Sequence, residues 1–320
     1  MKFKMVYSFL NSDLHVIEKE LEKTIEAKSP LLQQASLHLL KAGGKRIRPV
    51  FVLLAGKFGN YDINVIKNVA VTLELIHTAS LVHDDVIDDA ELRRGLPTIK
   101  AKWDNRIAMY TGDFIFARSI ELMTNINDPV AHKILSNTMV ELCLGEIAQI
   151  KDKYRYDQNL RDYLRRIKRK TAILIAASCQ LGAVASNVDE KTHKKLYQFG
   201  YFVGMSFQII DDVLDFTSDE KTLGKPSGGD LQQGNITLPV LFAMEDEGIR
   251  HAIQNVNENT QRGAIDNIIE LVNHSGAIEK SLVISDRYLE KALAVLDELP
   301  PNKAKKRLRD IALFIGKRKF

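Results

Sequence analysis

Two short acidic motifs of the same form, Asp-Asp-x-x-Asp, each follow a strongly apolar stretch of the sequence. They are Asp84-Asp85-Val86-Ile87-Asp88 and Asp211-Asp212-Val213-Leu214-Asp215. In a helix the first and last Asp of each motif project from one face, where their charges repel. A divalent cation such as Mg²⁺ offsets that repulsion and keeps room for water and substrate phosphate. The pair of motifs therefore predicts metal ions that bridge to a diphosphate, although one such motif alone is also typical of a solvated acidic helix end.

Cationic side chains recur beside the few breaks in the chain. Lys45 and Arg48 follow a Gly-Gly pair and share one helical face, which is the arrangement expected of a phosphate-binding helix start. The other cations of this kind are Arg93, Arg94, Lys170 and Lys225. Arg forms bidentate contacts with phosphate, and Lys supplies a point charge. Ordinary turns with solvated charges are the alternative at any one of these positions.

One histidine and one basic segment need separate treatment. His77 lies two helical turns before Asp84 and faces roughly the same way, which favours a functional role over that of a core histidine. The segment 161–170 holds six basic residues, as a nucleic-acid-binding helix would. It has no aromatic platform, and the formal net charge of the chain is only +4. We therefore expect a solvated face that ends in a functional Lys170, and no nucleic-acid partner.

The elements that must position these residues are helices. Apolar residues recur at helical spacing at both ends of the chain, whereas no alternating strand pattern is sustained. The composition, with 45% hydrophobic and 27% charged residues among 320 and only 8 Pro and 2 Cys, excludes disordered and disulfide-stapled classes. We expect an all-α protein with a single domain over residues 1–320. No apolar run approaches the ~18 residues of a spanning helix, so we also expect a cytoplasmic protein without a transmembrane segment.

Taken in order along the chain, these motifs resemble the trans-prenyltransferase family, the head-to-tail polyprenyl diphosphate synthases. The match extends from about residue 30 to 240. Besides the two Asp motifs it rests on Gly43-Gly44-Lys45-Arg46-Ile47-Arg48-Pro49, Arg93-Arg94-Gly95, Lys170-Thr171, Phe207-Gln208-Ile209-Ile210-Asp211-Asp212 and Gly224-Lys225-Pro226. Within the family the chain is most similar to the catalytic components of two-subunit bacterial enzymes that make heptaprenyl diphosphate. The resemblance implies an isoprenoid-synthase-type helical bundle with a central active-site cavity.

The resemblance also assigns roles to residues. It implies two or three Mg²⁺ ions held by Asp84, Asp88, Asp211 and Asp215, with Asp85 and Asp212 completing the motifs. The allylic diphosphate is expected to bind to Arg93, Lys170, Thr171, Gln208 and Lys225. Isopentenyl diphosphate is expected to bind to Lys45, Arg48, His77 and Arg94. The chain departs from the family at Asn235, where relatives often have Lys, which puts one contact to the allylic phosphate in doubt.

The length of the product follows from the size of two residues. Ala79 and Ser80 lie about one turn before Asp84 and are small, whereas aromatic residues there block the chain early in farnesyl-forming relatives. The sequence therefore predicts a product of about C30 to C40, with C35 favoured by the narrower resemblance. That resemblance implies farnesyl diphosphate as primer, a menaquinone side chain as destination by way of the membrane, and a smaller non-catalytic component I as partner. The alternative is a homodimeric hexaprenyl or octaprenyl diphosphate synthase.

Three other function classes compete with this interpretation. A metal-dependent phosphohydrolase is suggested by the dipeptide His83-Asp84, but it needs further His and Asp ligands and has no need of the second Asp motif. A terpene cyclase shares metal-assisted ionisation, although its second metal motif usually differs. A non-catalytic partner subunit tends to lose its Asp pairs, and both pairs are intact here.

Overall fold

The computed structural model describes residues 7–218 and 227–316 of the chain. It is 76% helical, which confirms the all-α prediction. A short 3₁₀ turn, Ser8–Leu10, precedes the first helix. The first six helices are α1 (Asn11–Thr24), α2 (Pro30–Lys41), α3 (Ile47–Gly56), α4 (Ile63–Ile87), α5 (Ile99–Lys102) and α6 (Asn105–Met123).

The rest of the described chain contains one π-helical turn and ten further helices. They are α7 (Pro129–Asp152), α8 (Leu160–Ile167), α9 (Ile173–Val184), α10 (Glu190–Thr217), α11 (Gly229–Gln232), α12 (Leu238–Ala243), α13 (Glu247–Gln254), α14 (Arg262–His274), α15 (Ala277–Asp297) and α16 (Lys303–Gly316). The π turn, Lys168–Ala172, joins α8 to α9. π-helical turns are rare in proteins, and those that occur often lie at functional sites.

The described chain also contains one small β-hairpin that the sequence did not predict. Strand β1 (Leu92–Arg93) pairs antiparallel with strand β2 (Leu96–Pro97). Arg94 and Gly95 form the two-residue turn and both have positive φ, 53° and 78°. Two positive φ values in a two-residue hairpin loop define a type I′ turn, for which Gly is favoured. Strands of two residues are too short to show alternation, so the hydrophobic pattern gave no signal for them.

The chain divides into two compact units. The first comprises Met1–Ser136, Ala177–Tyr197 and Leu299–Ile311, and the second comprises Asn137–Ala176, Gln198–Glu298 and Ala312–Phe320. Four of the five boundaries lie inside helices, and the fifth, between Glu298 and Leu299, lies in the loop between α15 and α16. The single-domain organisation over residues 1–320 stays a prediction.

Helix α4 forms the centre of the first unit. Its N-terminus is capped by the Asp62 side chain, which accepts a hydrogen bond from the Asn64 backbone N–H at 2.9 Å. Apolar residues cover most of its circumference, so it is buried by α6 on one side and by α3 and α1 on others. Gly112 of α6 lies so close to His83 that a Cβ would fall 2.3 Å from the His83 Nε2. The first Asp motif is thus the last turn of a rigidly packed helix.

Helix α4 differs from the sequence expectation in one respect. It is long and apolar enough to cross a membrane by length and composition, with a mean hydropathy of 1.4 over its best window. Of that window, 67% is buried inside the structure, as in the core helix of a globular protein. Its apolar character is explained by packing against α3 and α6.

The second unit places the π turn between two helices that approach it closely. Added Cβ atoms at Gly145 of α7 and Gly204 of α10 would lie 2.8 Å from the Arg169 Cβ and 2.6 Å from the Ala172 Cα. Both glycines therefore permit backbone contact that no larger residue allows. An apolar cluster with Tyr163 and Met205 among its members packs beside the turn. This packing fixes the backbone that carries Lys170 and Thr171.

Candidate active site

The loop before α3 contains two residues with a left-handed backbone conformation. Gly43 has a φ of 76°, and Arg46, the residue that begins the helix, has a φ of 49°. The Tyr7 hydroxyl donates a hydrogen bond to the carbonyl oxygen of Lys45. The Arg46 guanidinium is held by Glu18 and Glu74, so its neighbours Lys45 and Arg48 begin from a fixed backbone.

The charges of four guanidinium groups act on His77 of α4. Burial, followed by the charges of Arg48, Arg94, Arg93 and Arg46 in that order, holds the pKa of His77 well below its usual value of 6.5. The imidazole is therefore neutral at neutral pH and can donate a hydrogen bond without adding charge. The structure thus brings together His77, Arg48 and Arg94, three of the residues predicted to bind isopentenyl diphosphate.

Arg48 is half-buried. Burial, opposed by the Glu74 carboxylate and assisted by Arg94, lowers its pKa to about 10. Its Nε is buried and makes no hydrogen bond to any described residue. A buried guanidinium N–H without a protein acceptor is costly unless a ligand oxygen accepts from it. Gly44 lies against the same site, because a Cβ there would be 3.1 Å from the Arg94 Nη1. This cluster has the donors and the charge of a diphosphate site.

The first Asp motif divides into one buried and two half-buried carboxylates. Asp85 is buried and accepts hydrogen bonds from the Arg93 Nε and Nη2, both at 2.6 Å. Burial raises the pKa of Asp85, Arg93 lowers it, and the charges of Asp84 and Asp88 raise it again. Asp84 and Asp88 are half-buried at the end of α4. Arg93, predicted to bind the allylic diphosphate, thus contacts the motif that is predicted to hold the metal.

The two residues predicted to set the product length differ in burial. The Ala79 side chain is fully buried, whereas Ser80 is half-buried. The Ser80 hydroxyl donates a hydrogen bond to the His77 carbonyl oxygen at 2.9 Å. Ser80 therefore has space beside it that Ala79 does not have.

In the second unit, a chain of hydrogen bonds links the π turn to the second Asp motif. The Thr171 hydroxyl donates to the Gln208 Oε1 at 2.6 Å, and the Gln208 Nε2 donates to the Asp212 Oδ1 at 2.7 Å. The Tyr163 hydroxyl donates to the other oxygen of Asp212, Oδ2, at 2.7 Å. The structure thus brings Thr171, Gln208 and Asp212 together, and it adds Tyr163, which the sequence did not predict.

The carboxylates of this motif lie close to one more acid. Burial raises the pKa of Asp212 to about 7, and the charges of Asp230 and Asp211 act in the same direction, against the hydrogen bonds from Tyr163 and Gln208. Asp215 is buried, and one of its oxygens accepts from the Asp230 backbone N–H at 3.2 Å. Asp211 is half-buried. The accumulated negative charge favours a cation here.

Lys170, at the π turn, donates a hydrogen bond to Glu146 of α7 at 3.1 Å. Lys225, the remaining predicted ligand of the allylic diphosphate, lies outside the described residues. Asn235 follows Gly234, whose φ is 80°, and its backbone N–H donates to the Asp230 carbonyl at 2.8 Å. The departure from Lys at this position is thus next to the acidic cluster of the second motif.

The donor set fits Mg²⁺ as a substrate-dependent ligand. Among the residues that the structure describes, no three His, Cys, Asp or Glu side chains form a ready-made metal cage. Mg²⁺ is typically held by one or two carboxylates together with water and substrate phosphate, so such a cage is not required. The pKa of Asp85 and that of Asp212 are both raised in part by neighbouring carboxylates, and a bound cation would offset this repulsion.

The phosphohydrolase alternative rests on the dipeptide His83-Asp84. His83 lies 3.3 Å from Asp113, and no metal cage of the phosphohydrolase type surrounds it within the described chain.

The bond between Tyr163 and Asp212 leads to a testable expectation. Tyr163→Phe removes one of the two described side-chain donors to a buried carboxylate, and we expect turnover to fall about tenfold and the free energy of unfolding to fall by about 1 kcal/mol. Steady-state kinetics and urea denaturation measure the two effects. Tyr201→Phe, in a tyrosine packed on the same apolar cluster, is the matched control. Equal kinetics for the two variants would contradict a role for Tyr163 in holding Asp212.

The sequence of the whole chain aligns with proteins of known name. A family profile described as polyprenyl synthetase matches residues 29–272. The heptaprenyl diphosphate synthase component 2 of Bacillus subtilis (strain 168) is 66% identical over 320 residues, which are 100% of this chain and 92% of the relative. The protein of the same name from Geobacillus stearothermophilus is 61% identical over 100% of both chains.

Solved structures agree with the sequence relatives. Heptaprenyl diphosphate synthase from Staphylococcus aureus superposes with a TM-score of 0.92 and 44% identity, over 97% of this chain and 98% of that one. A polyprenyl synthase from Caulobacter crescentus CB15, solved with calcium and isoprenyl diphosphate, gives a TM-score of 0.94 at 31% identity, over 99% and 98%. Together with the two Asp motifs and the cationic cluster at His77, these matches confirm the resemblance inferred from the motifs. The chain belongs to the polyprenyl synthetase family and is a trans-prenyltransferase with the all-α isoprenoid synthase fold.

Proposed function

We propose that this chain condenses isopentenyl diphosphate with an allylic diphosphate, with farnesyl diphosphate as primer. The observation that carries the proposal is the cluster of Arg48, Arg94 and neutral His77 in the same compact unit as the first Asp motif. Its buried Arg48 Nε requires an acceptor, and a diphosphate oxygen supplies one. Isopentenyl diphosphate is proposed to bind to Lys45, Arg48, His77 and Arg94.

The allylic diphosphate is proposed to bind to the second set of residues. These are Arg93, Lys170, Thr171, Gln208 and Lys225. Asp84, Asp88, Asp211 and Asp215 are proposed to hold two or three Mg²⁺ ions, which supply positive charge to the diphosphate oxygens when bound. The side chains of Asp85 and Asp212 hold their motifs in place, through Arg93 in the first and through Tyr163 and Gln208 in the second.

The residues account for each step of the condensation. The allylic C–O bond breaks, and the bonding pair leaves on the diphosphate, where fixed Lys and Arg groups stabilise the growing negative charge. The isopentenyl double bond, held by its own diphosphate at Arg48 and Arg94, then forms the new C–C bond. The proton lost in the last step is proposed to go to an oxygen of the departing diphosphate.

The names of the relatives support a finer assignment. We propose a C35 heptaprenyl diphosphate for a menaquinone side chain, made in the cytoplasm and delivered to the membrane. Two relatives above 60% identity are each named component 2, which supports a heterodimer with a smaller, non-catalytic component. The alternative is a homodimer that makes hexaprenyl or octaprenyl diphosphate.

One incubation tests both the product and the partner. The purified chain is supplied with labelled isopentenyl diphosphate, farnesyl diphosphate and Mg²⁺, alone and with a co-expressed smaller component, and the extracted products are sized by chromatography. We expect C35 product only when the partner is present. Product from the chain alone would support the homodimer instead, and products of C30 or C40 would overturn the heptaprenyl assignment. Absence of isopentenyl incorporation under both conditions would contradict the proposed reaction.

A further inference from the structure

The N-terminal segment contacts the loop of the proposed isopentenyl site, although it precedes the matched family region, which begins at residue 29. Tyr7 is 3% exposed, and its hydroxyl donates to the backbone carbonyl of Lys45. Glu18, on α1, contacts the guanidinium of Arg46. Two separate side chains of this segment thus contact two consecutive residues of one loop.

Arg46 lies in sequence between Lys45 and Arg48, the two cations that are proposed to bind the diphosphate. Its own side chain binds two carboxylates instead. Its Nε and Nη2 donate to the two oxygens of Glu18 at 2.5 and 3.0 Å, and its Nη1 donates to the Glu74 Oε1 at 3.0 Å. The side chains of Arg46 and Glu74 are 10% and 5% exposed, respectively. Arg46 is therefore a structural bridge between α1 and α4 across the loop.

This bridge fixes a backbone conformation that is unfavourable on its own. Arg46 has a φ of 49°, a left-handed conformation that is unfavourable for a residue with a side chain. The bidentate pair with Glu18 and the hydrogen bond to Glu74 hold the residue in that conformation. Because Arg48 is only two residues further on, its position depends on this turn. Gly44, on the other side, lies against both the Arg46 and the Arg94 guanidinium groups, at 3.2 and 3.1 Å from a Cβ built on it.

We propose that Glu18 and Tyr7 are positioning residues for isopentenyl diphosphate, acting through Arg46 and the Lys45 carbonyl to hold Lys45 and Arg48 in their binding arrangement. This inference rests on the proposed assignment of Lys45, Arg48, His77 and Arg94 to that substrate. Neither Glu18 nor Tyr7 is proposed to contact the substrate.

Electrostatics and positioning predict opposite effects for the loss of the Glu18 charge. Glu18 is an anion beside a cationic diphosphate site, so its removal would strengthen anion binding by Coulomb's law alone. If instead the carboxylate fixes the loop, its removal weakens binding of isopentenyl diphosphate. Glu18 is 43% exposed, so its substitution does not open the core. The sign of the change in KM therefore separates the two mechanisms.

The test compares Glu18→Gln with Glu22→Gln in the complete, catalytically active enzyme. Glu22 is exposed one turn further along α1, so its substitution removes the same charge without disturbing the Arg46 pair. We expect Glu18→Gln to raise the KM for isopentenyl diphosphate about tenfold, with kcat and the KM for farnesyl diphosphate changed less than about twofold. Tyr7→Phe is expected to act in the same direction with a smaller effect, and Glu22→Gln to match the wild type. An unchanged or lowered KM for isopentenyl diphosphate in Glu18→Gln would overturn the inference.

A third variant distinguishes failure of this inference from failure of the proposed site. Arg48→Ala removes a proposed contact to isopentenyl diphosphate, and we expect it to raise that KM more than Glu18→Gln does. A raised KM in Arg48→Ala with no change in Glu18→Gln would refute positioning by Glu18 and leave the site assignment standing. No rise in either variant would refute the site assignment and, with it, the inference.

Discussion

Replacing Asp84 or Asp211 by asparagine is expected to lower turnover by about 10²–10³-fold or more, with binding of the allylic diphosphate less affected. Asparagine keeps the shape of the side chain but removes the charge that offsets a divalent cation. The loss falls mainly on turnover because the cation stabilises charge that develops as the C–O bond breaks. Single-turnover kinetics at saturating Mg²⁺ measure this step, and calorimetry with a non-reactive thio analogue of the substrate measures binding.

A matched control for this prediction is present at the end of the same helix. Asp89→Asn removes a carboxylate outside the motif, at a residue that is highly exposed and contacts Lys100. Its φ of 51° is tolerated by asparagine, so the backbone need not change. We expect nearly wild-type turnover for this variant. Turnover of Asp84→Asn within a few-fold of the control would remove metal-assisted ionisation from the mechanism.

The second large effect concerns the length of the product. Ser80→Phe is expected to shorten the product by at least one five-carbon unit, because Ser80 lies one turn before Asp84 and is half-buried. Ala79→Phe is expected to act in the same direction at a cost of about 1–3 kcal/mol, since Ala79 is fully buried and the ring must displace packed neighbours. Chromatography of the extracted products gives the chain lengths.

The serine position also provides its own control. Ser80→Ala removes the hydroxyl that donates to the His77 carbonyl, without adding volume, so we expect an unchanged product length. If Ser80→Phe is folded and active but makes the same product as Ser80→Ala, the end of the product tunnel lies elsewhere in the chain.

The parts of the site that depend on local spacing were predictable from the sequence. The i, i+4 spacing placed Asp84 and Asp88 together on one helix end, and the two-turn spacing placed His77 on the same helix. The helix itself was evident from its continuous apolar character, and the loop of Gly43 and Gly44 from its composition. In these cases helix geometry and burial decide the arrangement with little help from distant contacts.

The parts that depend on long-range contacts were not predictable. Tyr163 and Asp212 are 49 residues apart in sequence, and neither residue type indicates that the other is its hydrogen-bond partner. The left-handed backbone of Arg46 is fixed by Glu18, 28 residues away, and no propensity favours it. The π turn at Lys168–Ala172 differs from an α-helix by one inserted residue, a change that hydrophobic periodicity does not detect over so short a span.

Two features of helix α4 are explained by tertiary packing. Helix α4 is apolar enough to cross a membrane because other helices surround it in the fold. At its C-terminal end, the buried carboxylate of Asp85 is stabilised by its contact with Arg93. Glu74, a buried acid on the same helix, accepts a hydrogen bond from Arg46. The near-neutral total charge of +4 thus conceals a cluster of five guanidinium and imidazole groups in the first unit.

The central claim is that each cleavage of an allylic diphosphate is coupled to the addition of an isopentenyl unit. The most direct test is the ratio of diphosphate released to labelled isopentenyl units incorporated, measured in one reaction with farnesyl diphosphate and Mg²⁺ and with the partner component present. A trans-prenyltransferase with the proposed site gives one diphosphate for each unit added. Release of diphosphate or phosphate without incorporation, as a cyclase or a phosphohydrolase would give, would contradict the proposed reaction.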